Sequence, residues 1–191
     1  MRSPRVDAVF CAPGNAGTAS LGTNLPVAAD DIPGVLDTAR EHKIDLVAVG
    51  PEDPLAAGMV DTLISAGFAA FGPTKAATRL EGSKWFAKEV MQRAGVTTAD
   101  GRAFSDAAAA HTFIDETFLV PPVIKADGLA AGNGVIVPAD MAGAHAAVDE
   151  LLAGRFGQAS AQVVVEERLS GLEASAMAFV DGTTVVPMPF S

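Results

Sequence analysis

The sequence predicts an α/β protein in which a parallel-sheet unit is followed by an α+β unit with mostly antiparallel strands. Three observations carry this expectation. Up to Gly72, short apolar runs alternate with amphipathic stretches, the pattern of repeated βα units. Residues 45–50 (DLVAVG) are almost continuously apolar, as expected of a strand covered on both faces. Beyond Gly101 the apolar runs follow one another with few helices between them, which suits an antiparallel sheet.

Taken in order, residues 6–11 form a short strand that runs into the loop APGNAGT at 12–18. Asp31 is a helix cap with Pro33 in the first turn, and Ile32, Val35, Leu36 and Ala39 fall on one buried face. After the 45–50 strand, the loop at 50–55 leads into one helix that reaches about residue 66. A strand at 68–71 ends at Gly72-Pro73. A longer helix covers 83–94, with Phe86, Val90, Met91 and Ala94 as its apolar face. Ser105 or Asp106 caps a helix that begins in the alanine run at 107–110. Strands are expected at 119–125, 134–137, 162–166, 174–180 and 184–188, with a helix at 139–152.

Composition bounds the function. Over 191 residues, 49% are hydrophobic and the net charge is −10, so a sizeable core is available and no cationic surface for nucleic acid is present. No stretch approaches the roughly 20 apolar residues of a membrane span. Cys11 is the single cysteine, read as a lone buried thiol; it excludes an internal disulfide and is compatible with a cytoplasmic protein. His42, His111 and His145 are scattered on predicted helices without metal-ligand spacing and are read as surface histidines.

Three segments carry chemistry. In VIKADGLAAGNGVIV (123–137) Lys125 ends a strand and a glycine-rich loop follows. A P-loop has its Lys after the glycines, and a dinucleotide fingerprint opens a helix, so neither fits. A lysine at the end of a buried strand needs a counter-charge, and a phosphate approached by glycine backbone would supply one. The alternative is a hairpin loop with a solvated lysine. In VVVEERLSGLEAS (163–175) a strand runs into Glu166 and Glu167, and Glu173 opens the next strand. Such a strand end can read adenine and offer a carboxylate to ribose, or it is a charged surface turn. In LEGSKW (80–85) Lys84 stands at a helix start, where a cation is disfavoured and a bound phosphate would relieve it; otherwise it faces solvent.

Together with APGNAGTA (12–19), DLVAVGPEDPL (45–55) and FGPTKAA (71–77), these segments resemble the phosphoribosylamine–glycine ligase family of the ATP-grasp superfamily, collinearly over nearly the whole chain. The resemblance implies a pre-ATP-grasp, Rossmann-like domain at 1–79 missing its first strand, then a partial ATP-grasp domain at 80–191 with a lid at about 102–171. It implies ATP contacts from Lys84 and Lys125 to the phosphates and from the loop at Gly128, Gly132, Asn133 and Gly134. Glu166 and Leu169 would read adenine, with Glu167 flanking them, and Glu173 would hold the ribose. Gly14, Asn15, Gly17, Thr18, Pro51 and Glu52 would face the phosphoribosylamine. The implied reaction ligates glycine to 5-phosphoribosylamine through glycyl phosphate, giving glycinamide ribonucleotide, ADP and phosphate, with magnesium assisting.

Two positions depart from the family pattern: Asn133 replaces a lysine and Leu172 replaces a glutamate. The family's phosphate-binding turn precedes the motifs present here. Its glycine-binding region and magnesium ligands follow them, beyond Ser191. The chain alone is therefore expected to lack ligase activity and to be poorly stable before about Leu80. The competing expectations are another ATP-grasp carboxylate–amine ligase and a non-catalytic nucleotide-binding fragment.

Overall fold

The structure is a computed structural model that describes residues 3–130 and 134–191. It opens with β1 (Phe10–Cys11), paired in parallel with β2 (Thr23–Asn24). The helix α1 (Ile32–Glu41) starts where expected: the Asp31 carboxylate accepts the Gly34 N–H at 3.1 Å and Pro33 lies in the first turn. Next, β3 (Leu46–Ala48) pairs in parallel with β4 (Ala69–Phe71), with α2 (Glu52–Ala57) and α3 (Met59–Ser65) as the crossover. The single helix expected here is thus two. Gly58 lies between them at φ 96°, a conformation that costs glycine little.

These helices close the first apolar cluster, in which Val49, Leu55, Met59, Val60 and Leu63 are buried and α1 adds Ile32, Val35 and Leu36. The expectation that β3 is covered on both faces is overturned. Leu46 is 59% exposed and Ala48 is open, because the described helices cover only the side of Val47. Cys11 is half-buried, not enclosed.

Two helices then run nearly end to end, α4 (Lys75–Gly82) and α5 (Lys84–Arg93), each started by a hydroxyl: Thr74 accepts the Ala77 N–H and Ser83 that of Phe86. The sequence missed α4. It also misjudged the face of α5, whose one fully buried residue is Lys88 while Ala94 is exposed.

The second cluster belongs to a four-stranded antiparallel sheet, ordered β5 (Gly101–Phe104), β8 (Val163–Glu166), β6 (Val123–Ala126), β7 (Val135–Ile136). Two helices, α6 (Ala107–Thr117) and α7 (Met141–Leu152), cover one face, capped by Asp106 and Asp140. Ile124, Ala126, Val163 and Val165 point into that covered face beside Ile114, Ala144, Val148 and Leu151. An antiparallel hairpin follows, β9 (Ala178–Val180) with β10 (Val185–Pro187), exposed along its length. The Asp181 carboxylate closes its turn by accepting the N–H groups of Thr183 and Thr184. No helix among the described residues is long and apolar enough to cross a membrane.

Candidate functional site

Strand register builds the site. Lys125 lies opposite Val164 and Glu166 opposite Val123, so both charged side chains emerge on the face of the sheet away from α6 and α7. They are diagonal neighbours, within reach of one another. The Lys125 Nζ donates to Glu166 Oε2 at 2.7 Å. Gly101, paired with Glu166, leaves room for it: a Cβ there would fall 2.9 Å from the glutamate Cγ and 2.5 Å from the Val165 carbonyl. Lys125 is therefore neither solvated nor awaiting its first counter-charge. The protein supplies one.

Helix α5 closes this face from the other side. Lys84 and Lys88 are one turn apart and share a helix face. Lys84 Nζ donates to the Gly128 carbonyl at 3.0 Å, and its backbone N–H donates to the Asp127 carbonyl at 3.0 Å. The Asp127 carboxylate accepts from Trp85 N–H at 2.7 Å and from the Ser83 hydroxyl at 2.9 Å. The start of α5, where the sequence left a cation opposed by the helix dipole, is thus capped by a carboxylate from the loop after β6. Burial holds the Lys84 ammonium below the ordinary lysine value; Asp127 opposes this and the charge of Lys125 adds to it. The ammonium groups of Lys84 and Lys125 are thus close enough for their charges to oppose one another.

Sequence reasoning missed Lys88 and Asp127. Lys88 Nζ is 3.5 Å from Glu166 Oε1, and it donates to the Thr98 hydroxyl and the Ala99 carbonyl. A buried lysine has no hydropathy signature, although its four-residue spacing from Lys84 did mark the same face. Asp127 sat inside the quoted motif, but its partners lie 42 and 44 residues away.

The glycines of the loop differ in kind. A Cβ on Gly128 would fall 2.6 Å from the Cα of Ala159, so this residue is small because backbone packs against it. The Gly134 carbonyl accepts the Ala126 N–H at 2.7 Å, and a Cβ on Gly134 would fall 2.6 Å from that of Ala130. Gly132 and Asn133 lie outside the described residues. Past β8, Glu167 is tied back: its N–H donates to the Asp100 carbonyl and its carboxylate accepts the Asp100 N–H. Leu169 is 67% exposed, and Glu173 is exposed in a shallow depression with Ser175 and Ser191.

The N-terminal loop is braced from within. Asn15 Oδ1 accepts the N–H groups of Gly17 and Thr18, and the Thr18 hydroxyl donates to Asn24. Gly14 is at φ 76°, where a Cβ would strike Asn24. Pro51 precedes α2 and Glu52 lies in its first turn. Among the described residues no hydrogen bond or ion pair joins this loop to Pro51 or Glu52. Away from the site, His111 and His145 pack edge to face at 4.6 Å, each beside an aspartate of the opposite helix, so these two are not isolated surface histidines.

Residues 1–81 match the family model of the phosphoribosylglycinamide synthetase N domain, and residues 82–191 that of its ATP-grasp (A) domain. Across its whole length the chain is 49% identical to phosphoribosylamine–glycine ligase of Allochromatium vinosum and of Escherichia coli K12, covering 45% of each. The crystal structure of phosphoribosylamine–glycine ligase from Thermotoga maritima aligns with a TM-score of 0.73 at 30% identity, over 96% of this chain and 43% of that one. Biotin carboxylase of Campylobacter jejuni, solved as its β-γ-ATP complex, aligns with a TM-score of 0.74 at 18% identity over 93% of this chain and 43% of that one, a likeness of fold. The chain spans slightly under half the length of these relatives.

Proposed function

The chain belongs to the phosphoribosylglycinamide synthetase family, and from that premise we propose that it is the nucleotide-gripping part of an ATP-dependent ligase that joins glycine to 5-phosphoribosylamine. The observation that carries the reading is the convergence of Lys84 and Lys125, brought from a helix start and a strand end to one wall by the Asp127 anchor. In this reading the two ammonium groups hold the triphosphate. Glu166 and Leu169 seat the adenine through their backbone, since the Glu166 carboxylate is held by Lys88 and Lys125, with Glu167 fixing the strand end and Glu173 taking the ribose hydroxyls. The glycine-rich stretch at 128–134 contacts the phosphates in this reading, and Asn133 brings no cation to it. Gly14, Asn15, Gly17, Thr18, Pro51 and Glu52 face the phosphoribosylamine side.

The separate apolar clusters around Leu63 and Ile124 support a division into an N-terminal unit at 1–79 and a nucleotide-binding unit at 80–191, with the lid at about 102–171. Phosphorylation of the glycine carboxylate by ATP would give glycyl phosphate for attack by the amine. The contribution of this chain is positioning and neutralisation of phosphoryl charge, the main sources of acceleration in phosphoryl transfer. In this reading magnesium would be held largely by the ATP phosphates; among the described residues no group of three or more His, Cys, Asp or Glu gathers to hold a metal ion by itself.

Titration of the 191-residue chain with ATP by calorimetry tests the reading. Saturable binding, competed by ADP, is expected; no binding by a folded chain would overturn it. In a longer protein carrying this sequence, ADP formation should require both glycine and 5-phosphoribosylamine. ADP formation with another carboxylate and amine would point to a different ligase.

A further inference from the structure

We propose that Lys88 sets the charge presented to phosphate by holding Glu166 from its buried side, so that Glu166 orients Lys125 without cancelling it. The inference rests on the assignment of Lys125 to the phosphates, and concerns a residue that touches no ligand in that assignment.

Lys88 is 1% exposed and Glu166 is 7% exposed. A buried lysine must satisfy three N–H donors. The Lys88 ammonium faces three acceptors: Glu166 Oε1, the Thr98 hydroxyl and the Ala99 carbonyl. Two hydrogen bonds, an ion pair at 3.5 Å and near-complete enclosure leave the Lys88 ammonium out of a ligand's reach, so Lys88 acts through Glu166. The two oxygens of Glu166 are divided, Oε1 toward Lys88 and Oε2 toward Lys125. Lys125 is the more open of the two lysines, with 26% of its side chain exposed.

The charges decide the consequence. Lys125 with Glu166 alone would be a closed, neutral pair, and an arriving phosphate would meet a carboxylate beside its ammonium. With Lys88 the three groups carry one surplus positive charge. That surplus can be felt only at the exposed end, because Lys88 is enclosed. Lys88 is therefore a positioning residue: it keeps Glu166 satisfied when Lys125 turns to phosphate, and it lowers the repulsion between Glu166 and the anion. A role confined to bracing the fold would not distinguish a triphosphate from a monophosphate.

The test is calorimetric binding of ATP and AMP to the parent chain and to Lys88→Met, Glu166→Gln, Lys88→Met with Glu166→Gln, and Lys125→Ala, with unfolding followed separately for each. Lys88→Met should weaken ATP by at least about fivefold, the scale of one charge at short range in a partly desolvated site, and AMP by much less. Adding Glu166→Gln should restore ATP binding, since it removes the negative charge that Lys88 had held. Glu166→Gln alone retains Lys88 and should tighten ATP, which keeps the proposal testable if Lys88→Met does not fold. Equal losses for ATP and AMP, no rescue in the double variant, or weaker ATP binding in Glu166→Gln would each overturn it. If Lys125→Ala leaves ATP binding unchanged, the phosphate assignment itself has failed. If Lys125→Ala weakens ATP but Lys88→Met does not, only the role of Lys88 has.

Discussion

The Asp127 carboxylate accepts the backbone N–H of Trp85 at 2.7 Å, so the start of α5 is closed by a residue 42 positions further along the chain. The Ser83 hydroxyl adds a second bond to the same carboxylate. This anchor fixes the distance between the strand that ends in Lys125 and the helix that begins at Lys84. Asp127→Ala should cost about 1–3 kcal/mol, the range for losing a cap together with a charge-assisted bond. Asp127→Asn keeps an acceptor and should cost less. Denaturant unfolding measures both, and an unchanged midpoint for Asp127→Ala would remove the anchor role.

Lys125→Ala should weaken ATP binding by about 1.5–3 kcal/mol, the range for a charge-assisted contact. Stability should fall less than the pair geometry suggests, because Glu166 keeps Lys88 as a partner. Calorimetry gives the first quantity and urea unfolding the second. A dissociation constant equal to that of the parent chain would move the phosphates away from Lys125.

What the sequence revealed and concealed divides along physical lines. Helix starts were legible because caps are local: Asp31 and Ser83 stand where their own helices need them. Strands β6 and β8 were legible from continuous β-branched runs. The break at Gly58 was not, since an apolar pattern continues across it. Lys84 and Lys125 could be singled out as unusual, yet each was read as lacking a protein counter-charge, while Asp127 and Glu166 supply one from more than forty residues further along the chain. The burial of Lys88 was concealed, because it depends on tertiary partners; only its four-residue spacing from Lys84 marked the shared face. Leu46 failed in the opposite sense: an apolar run tells what a strand can bury, not what covers it.

Lys84 predicts a pH dependence with a definite sign. Burial lowers its value below the ordinary 10.5, so between the lowered value and 10.5 the unfolded chain holds more protons than the folded one. Without nucleotide, this group makes stability rise with pH through that window. A bound phosphate favours the ammonium and raises its value again, so ATP binding takes up a proton there and weakens as pH climbs. Measured against pH, the ATP dissociation constant should show an alkaline limb in the parent chain that flattens in Lys84→Gln. The same limb in both proteins would assign the titration to another group.

Gly128 separates packing from ligand contact. The Gly128 N–H donates to the Ala159 carbonyl at 3.1 Å and the Asp127 N–H to the Gln162 carbonyl at 3.0 Å, so the loop after β6 lies flat on the segment before β8. A Cβ on Gly128 would stand 2.6 Å from the Cα of Ala159 and 2.8 Å from its Cβ, against backbone that cannot swing aside as a long side chain would. Gly128→Ala should therefore destabilise the chain by about 1–3 kcal/mol through overpacking. It should also weaken ATP, since the Gly128 carbonyl is the acceptor that holds the Lys84 ammonium. Gly82, at the end of α4, has open space where its Cβ would go, and Gly82→Ala serves as the control; a small gain, at most about 1 kcal/mol, is expected there from the reduced freedom of the unfolded chain. If Gly128→Ala unfolds with the parent and loses only ATP affinity, the glycine is there for the nucleotide. If stability falls as well, its first duty is to let two backbones meet.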